Sequence, residues 1–396
     1  MTRRALAAAA ALALAASGAG AQAPAKDYLL FVGAEATDQV HLVRFGPQGA
    51  KVERTNVVGM MLTDPDGPHG VAVSPDGRYY YVTTAHGTPY GHLWKFATRG
   101  DSVAGRVQLG SFPATLQVSP DGAYAYVVNF NLHGDMVPSS VSVVSTDEMV
   151  EIARLTTCTM PHGSRLNAQG TKHYSACMMD DMLVEIDAGT LAVSRHFVLT
   201  KGSERGVDGA PAAQRTAAAA AGPDAGSHAG AGHGAGGHAM AGSKPASTIT
   251  CSPTWAQPSA DGRRVYVACN KSSEVVEIDA ERWTVTRRLP AGEGVYNLAA
   301  THDGRLLVGT NKRGQSVSVF DLAAGKEVAR IPTTRKVVHG VVVSPDDRYA
   351  FVSVEGVGSE PGTVEVIDLR ARKRVATVDV GQMAGGIDFL KTEPPR

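Results

Sequence analysis

Three histidines, His69, His162 and His339, recur in one setting, each followed by Gly and a short strand-like run, two of them inside the triplet Pro-His-Gly. A neutral imidazole is both a general base near neutral pH and a ligand for copper, zinc or iron. Further donors lie nearby: His86 and His92 in the run HGTPYGH, His133 with Asp135 and Met136, the cluster Cys177, Met178, Met179, Asp180 and Asp181, and Glu355. Thioether sulfur favours Cu(I), so histidines with neighbouring methionines have the chemistry of a copper site. The expectation is a metal site, copper favoured, drawn from His69, His162, His339, His86, His133, Met178 and Met179. The plain alternative is that Pro-His-Gly only satisfies loop backbone groups. His41, His173, His196 and His302 read as structural. No Gly-x-Ser-x-Gly phrase occurs, so a hydrolase or lyase would have to use the histidines with Glu355, Asn129, Asn297 and Asn311.

The elements that carry these residues repeat. HGVAVSPDGRYYYVTT begins at His69, and related phrases begin at Ala114, His162, Thr254, Tyr296 and His339. Each is an apolar strand, a turn of the Ser-Pro-Asp-Gly type and a second strand rich in Tyr, Val and Phe. Pro fixes φ in such a turn and Gly accepts positive φ. Alternating runs follow, as in Glu274 to Asp279, Ser316 to Asp321 and Thr363 to Asp368, and then a basic-apolar run such as Lys326 to Ile331. Period-2 alternation means strands, and four short strands in roughly 43 residues make a propeller blade. Tyr28 to Val43 supplies the second and third strands of a first blade, and Gly385 to Phe389 matches His69 to Val73. The fold class expected is therefore all-β, a seven-bladed β-propeller over 28–390, closed by the C-terminal strand completing blade 1.

Aligned on the turn, His69, His162 and His339 share one position at the start of the innermost strand, on blades 2, 4 and 7. Ala114, Thr254, Tyr296 and Gly385 hold that position elsewhere. The three imidazoles should ring the mouth of the axial tunnel, on the same face as the loops carrying His86, His133, Met178, Met179 and Glu355.

In these phrases the chain resembles the YVTN-repeat β-propellers, a family whose fold hosts lactonases, lyases, metal enzymes and binding platforms. It is more distantly similar to the propeller domain of nitrous oxide reductase, where the resemblance implies histidines from several blades holding copper over the axis. That family's adjacent His-His pair and C-terminal copper domain are absent here, and no Cys-x-x-Cys-His exists for covalent haem. The function expected is an exported, metal-associated binding protein. The alternatives are a cofactor-free interaction platform facing a periplasmic protein partner, or a lactonase-like hydrolase or lyase.

The remaining features bound the setting. Arg3 and Arg4, the apolar run to Ala16 and Ala19-Gly20-Ala21 read as a signal peptide over 1–21, with a faint twin-arginine pattern, so a periplasmic or secreted protein is expected. The apolar run is too short to span a bilayer. Lys+Arg 38 against Asp+Glu 38, with no block of like charge, gives no electrostatic case for nucleic acid, and a monomer is expected. The stretch 203–247, rich in Gly and Ala, reads as a disordered insertion whose His228, His233, His238 and Met240 recruit metal loosely. Four cysteines in an exported chain invite disulfides, and spacing prefers Cys158 with Cys177 and Cys251 with Cys269 over thiolate ligation.

Overall fold

The computed structural model describes residues 23–60, 65–86, 90–212 and 249–396. The leader expected over 1–21, together with His228, His233, His238 and Met240, lies outside the described residues.

Seven antiparallel sheets surround one axis. The innermost strands of blades 2 to 7 are Pro68–Val73, Pro113–Val118, Pro161–Leu166, Pro253–Pro258, Val295–Ala300 and Val338–Val343. Blade 1 runs Ala384–Glu393, Asp27–Ala34, Gln39–Gly46, Gly49–Val57 from the axis outward, so the C-terminal strand does complete it. Leu30 opposes Phe389 and Val32 opposes Ile387 in the closing ladder. Alternate side chains leave opposite faces of each sheet, and the apolar set of one blade meets that of the next. Tyr28, Phe45 and Val43 of blade 1 thus pack with Tyr349, Phe351 and Val364 of blade 7.

The turns between first and second strands are built as their composition demands. Ser74 Oγ donates to Asp76 Oδ1 at 2.6 Å, Gly77 N–H donates to the Ser74 carbonyl at 2.8 Å, and Gly77 takes φ +69°. Blade 7 has Asp347 there at φ +54°, a conformation Asp tolerates better than most side chains.

Cys158–Cys177 and Cys251–Cys269 are disulfide-bonded. The first ties the outermost strand of blade 3 (Val150–Thr159) to the second strand of blade 4 (Lys172–Cys177). Cys177 is therefore no thiolate ligand.

The stretch expected to be disordered from 203 departs from that reading at its start. Arg205–Asp208 pairs with Ala192–Val198 as a fifth strand on blade 4. This exposed outer strand is tied down at both ends: the His196 ring donates from Nδ1 to the Gly209 carbonyl at 2.8 Å, and Glu204 pairs with Arg288 of blade 5. The low-complexity run begins only beyond it. Where the chain returns, the Asp181 carboxylate accepts from the N–H groups of Thr250 (2.6 Å), Cys251 (3.2 Å) and Ser252 (2.7 Å). It is a backbone anchor rather than the ligand its neighbours in sequence suggested. Asp181→Ala strands these donors and should cost roughly 3 kcal/mol, read as a lower urea midpoint at unchanged slope. An unaltered midpoint would show that water replaces the carboxylate freely.

Candidate functional site: the histidine-bearing end of the axis

The three expected histidines do meet at the axis. The His69 ring lies 6.0 Å from His162 and 5.5 Å from His339, centroid to centroid, nearly perpendicular to both. Blade 6 contributes a fourth ring at the same register, Tyr296, 5.1 Å from His162 and 5.0 Å from His339. All four are buried.

His162 Nδ1–H donates to the Thr254 carbonyl at 3.0 Å, which leaves Nε2 as the acceptor for the Tyr296 hydroxyl at 2.8 Å. Both ring nitrogens of His162 are thereby engaged, one as donor and one as acceptor, and burial pushes its pKa down to about 3. Among the described residues no group of three or more His, Cys, Asp or Glu is arranged to hold a metal ion. Met178 and Met179 pack against the apolar cluster of Phe112, Phe130 and Met160. Asp180 accepts from the Thr159 N–H at 2.7 Å. A carbonyl and a hydroxyl from neighbouring blades thus engage His162, while His69 Nε2 and His339 Nδ1 have no hydrogen-bond partner.

The strongest acid–base feature is one that sequence reasoning missed. Glu35, in the short helical turn Glu35–Thr37 that links the second and third strands of blade 1, is buried. His69 Nδ1–H donates to its Oε2 at 2.9 Å, and His86 Nε2–H donates to Oε1. Burial alone would raise the Glu35 pKa; the two imidazoles outweigh it and hold the carboxyl well below its usual range. The hydrogen bond to Glu35 in turn raises the pKa of His86, against its burial. His133 Nε2 lies 3.3 Å from His86 Nδ1 and is exposed, with burial and the His86 charge lowering its own pKa. A hydrogen-bonded chain of ionisable groups therefore runs His69–Glu35–His86–His133, from the axis to solvent. The signal was available: Glu35 occupies the inter-strand loop in blade 1 that supplied His86, His133 and Glu355 in other blades.

The opposite side of the axis is cationic. Lys312, in the corresponding loop of blade 6, pairs with Glu355 Oε1 at 2.9 Å and stands 4.3 Å from the centre of the Tyr296 ring. Burial opposes its charge, but Tyr296 and Glu355 outweigh burial and raise its pKa. Burial also raises the pKa of Tyr296, so its hydroxyl stays protonated. His339 Nε2 is 3.8 Å from the same Glu355 oxygen. A cleft of about 490 Å³ opens here, with Tyr296, Lys312, Arg313 and Lys336 in its wall. That is the volume of a small-molecule site, and its charge suits an anion.

Of the other residues considered from sequence, Asn129 and Asn311 are structural. Each amide donates to two serine hydroxyls of its own blade, Ser140 and Ser142 or Ser316 and Ser318. His92 sits at the start of the third strand of blade 2, its pKa lowered by burial. His173 stacks on Tyr126 with neither ring nitrogen partnered. His302 pairs with Asp347 at a turn. His41 bridges Thr55 and the Gly381 N–H at the seam between blades 1 and 7.

No family model matches the chain and no curated protein matches it in sequence. Solved structures do match in three dimensions. Among them the periplasmic gluconolactonase PpgL of Pseudomonas aeruginosa aligns over 92% of this chain and 99% of that one, with TM-score 0.64 at 19% identity. The hydrazine synthase of Kuenenia stuttgartiensis aligns over 82% and 90%, with TM-score 0.58 at 20% identity. A functionally unknown protein from Desulfotomaculum acetoxidans aligns over 91% and 98%, with TM-score 0.63 at 13% identity. Likeness at these identities establishes a shared propeller fold and nothing finer about chemistry.

Proposed function

We propose that this propeller hydrolyses a small lactone or ester that carries a carboxylate or phosphate, bound in the cleft of blades 5 to 7. The observation that carries the reading is Lys312, which stands in the wall of that cleft beside Tyr296 and is paired with Glu355. Arg313 and Lys336 would take the anionic group. Lys312 Nζ would polarise the carbonyl oxygen and hold the charge that develops on it. Glu355 would accept a proton from the attacking water, and the same proton would return to the alkoxide oxygen as the acyl C–O bond breaks. Kinship of fold with a gluconolactonase supports the hydrolytic class without assigning the substrate. The exported setting expected from the sequence, and two disulfides, suit such a role outside the cytoplasm.

A second reading places the base on the other side of the axis, in the Glu35–His86–His133 chain. One experiment separates the two. Hydrolysis of a panel of anionic and neutral lactones and esters would be followed for the wild type, Lys312→Met, Glu355→Gln and Glu35→Gln. The cleft reading expects a loss of about 100-fold or more in kcat/KM for the first two variants and little change for Glu35→Gln. The reverse pattern transfers the chemistry to the Glu35 chain. Hydrolysis no faster than in buffer across the panel would leave a binding or interaction role.

A further inference from the structure

Beneath the imidazole layer the tunnel holds a cavity of about 30 Å³. That is room for two or so waters or one small ion, and none for a sugar acid. Its wall contains polar atoms without partners. His69 Nε2, His339 Nδ1, Trp255 Nε1 and Asn297 Oδ1 are all buried and unbonded. Arg165, on the innermost strand of blade 4, joins them. Its guanidinium donates once, to the Ser164 carbonyl at 2.9 Å, and lies 4.4 Å from the centre of the Trp255 ring. It forms no ion pair among the described residues. The carboxylate nearest in effect, Asp388, is already held by the N–H groups of Val73 (2.7 Å) and Phe389 (2.9 Å), and burial raises its pKa.

His69 Nε2 is an acceptor, because Nδ1 carries the proton given to Glu35, and so is Asn297 Oδ1; the only charged group of the wall, Arg165, is a donor, as is the Trp255 indole. A guanidinium has five N–H groups and an indole nitrogen only donates. A half-buried cation that lines an enclosed cavity without an ion-pair partner, and buried donors without acceptors, are each costly. Exchanging the oxygen and nitrogen of the Asn297 amide puts its NH2 donors at the buried position where Oδ1 has no partner, since the orientation of an amide follows its hydrogen bonds. An acceptor that carries negative charge meets these needs together; water meets the geometry but not the charge.

We infer that the axial cavity is a binding site for one small inorganic anion, of the size of chloride, bound by Arg165 with Trp255, Asn297 and His339. It is separate from the cleft and rests on none of the hydrolytic reading. It would act as a central pin, giving the inner strands of blades 4, 5, 6 and 7 a common partner at the one place where no backbone pairing crosses the axis.

Melting of the whole protein would be compared in sodium chloride, sodium bromide and sodium isethionate at equal ionic strength. Both halides should raise Tm by about 3 °C or more over isethionate, as ligand binding to the native state alone requires, and Arg165→Met should abolish the difference. Crystals grown in bromide give a reading that does not depend on the variant's folding: an anomalous peak is expected on the axis between Arg165 and His339. An axis without bromide, or halide peaks confined to the outer surface, would overturn the site, as would equal Tm in all three salts. Since neither measurement involves turnover, failure here leaves the hydrolase reading untouched, and the converse holds.

Discussion

Removing Gly385 to Arg396 should abolish the single cooperative melting transition. The deleted segment is nearly all of the innermost strand of blade 1, and its loss leaves Asp27–Ala34 with no partner on the axial side. Ile387, buried between blades 7 and 1, is lost. So are Glu393 and Arg396 from the network in which Arg44 meets Asp27 at 2.8 Å and Glu53 at 2.8 Å. Burial of one Ile contributes about 2 kcal/mol and each ladder bond about 1 kcal/mol, so the total is on the order of 5 kcal/mol or more. The exposed strand edge adds a tendency to pair between molecules. Calorimetry and light scattering together test this. A truncated protein that melts as one transition within a few degrees of the full chain would mean that the ring does not depend on its closure.

Acid should unfold the protein well before its carboxylates alone would. Burial pushes the pKa of His162 and His173 down to about 3 and that of His339 well below 6.5. Burial lowers His41 also. In the unfolded chain each titrates near 6.5. Above that pH both states are neutral and no dependence arises. Below it the unfolded chain takes up protons that the native one refuses, so stability falls with pH until the native pKa is reached. Between pH 6.5 and 4, His162 and His173 should each contribute a loss of roughly 3 kcal/mol. His86, raised through Glu35, and Asp388, raised by burial, act in the opposite sense and blunt the slope. Urea midpoints at pH 7, 5.5 and 4 should fall steeply. His173→Phe isolates one contribution: the ring stacks on Tyr126 and neither nitrogen has a partner. This variant should match or exceed the wild type at pH 7 and lose one proton's share of the slope. A midpoint constant from pH 7 to 4 would show that these imidazoles are hydrated in the native state.

The contrast between what composition and spacing disclose and what they conceal is sharpest around His162. Its position was legible. The period-2 strands, the Ser-Pro-Asp-Gly turns and the spacing of the phrases are local properties, and local sterics and patterning decide them. The closing strand was legible for the same reason, since Gly385 to Phe389 repeats the pattern of His69 to Val73. The cysteine pairs followed from the shape of a blade. The sequence by itself therefore determined the strands, their grouping into seven blades, and the meeting of three histidines at one end of the axis.

What those histidines do was decided by tertiary contacts. His162 donates a hydrogen bond to a carbonyl 92 positions later and accepts one from a hydroxyl 134 positions later. His69 is bound to Glu35 through Nδ1, and its Nε2 is left without a partner. Whether an imidazole lone pair points at an ion, a hydroxyl or an empty cavity depends on ring rotations and sub-ångström offsets between blades. Those are fixed only when the ring has closed and every buried donor has sought its acceptor.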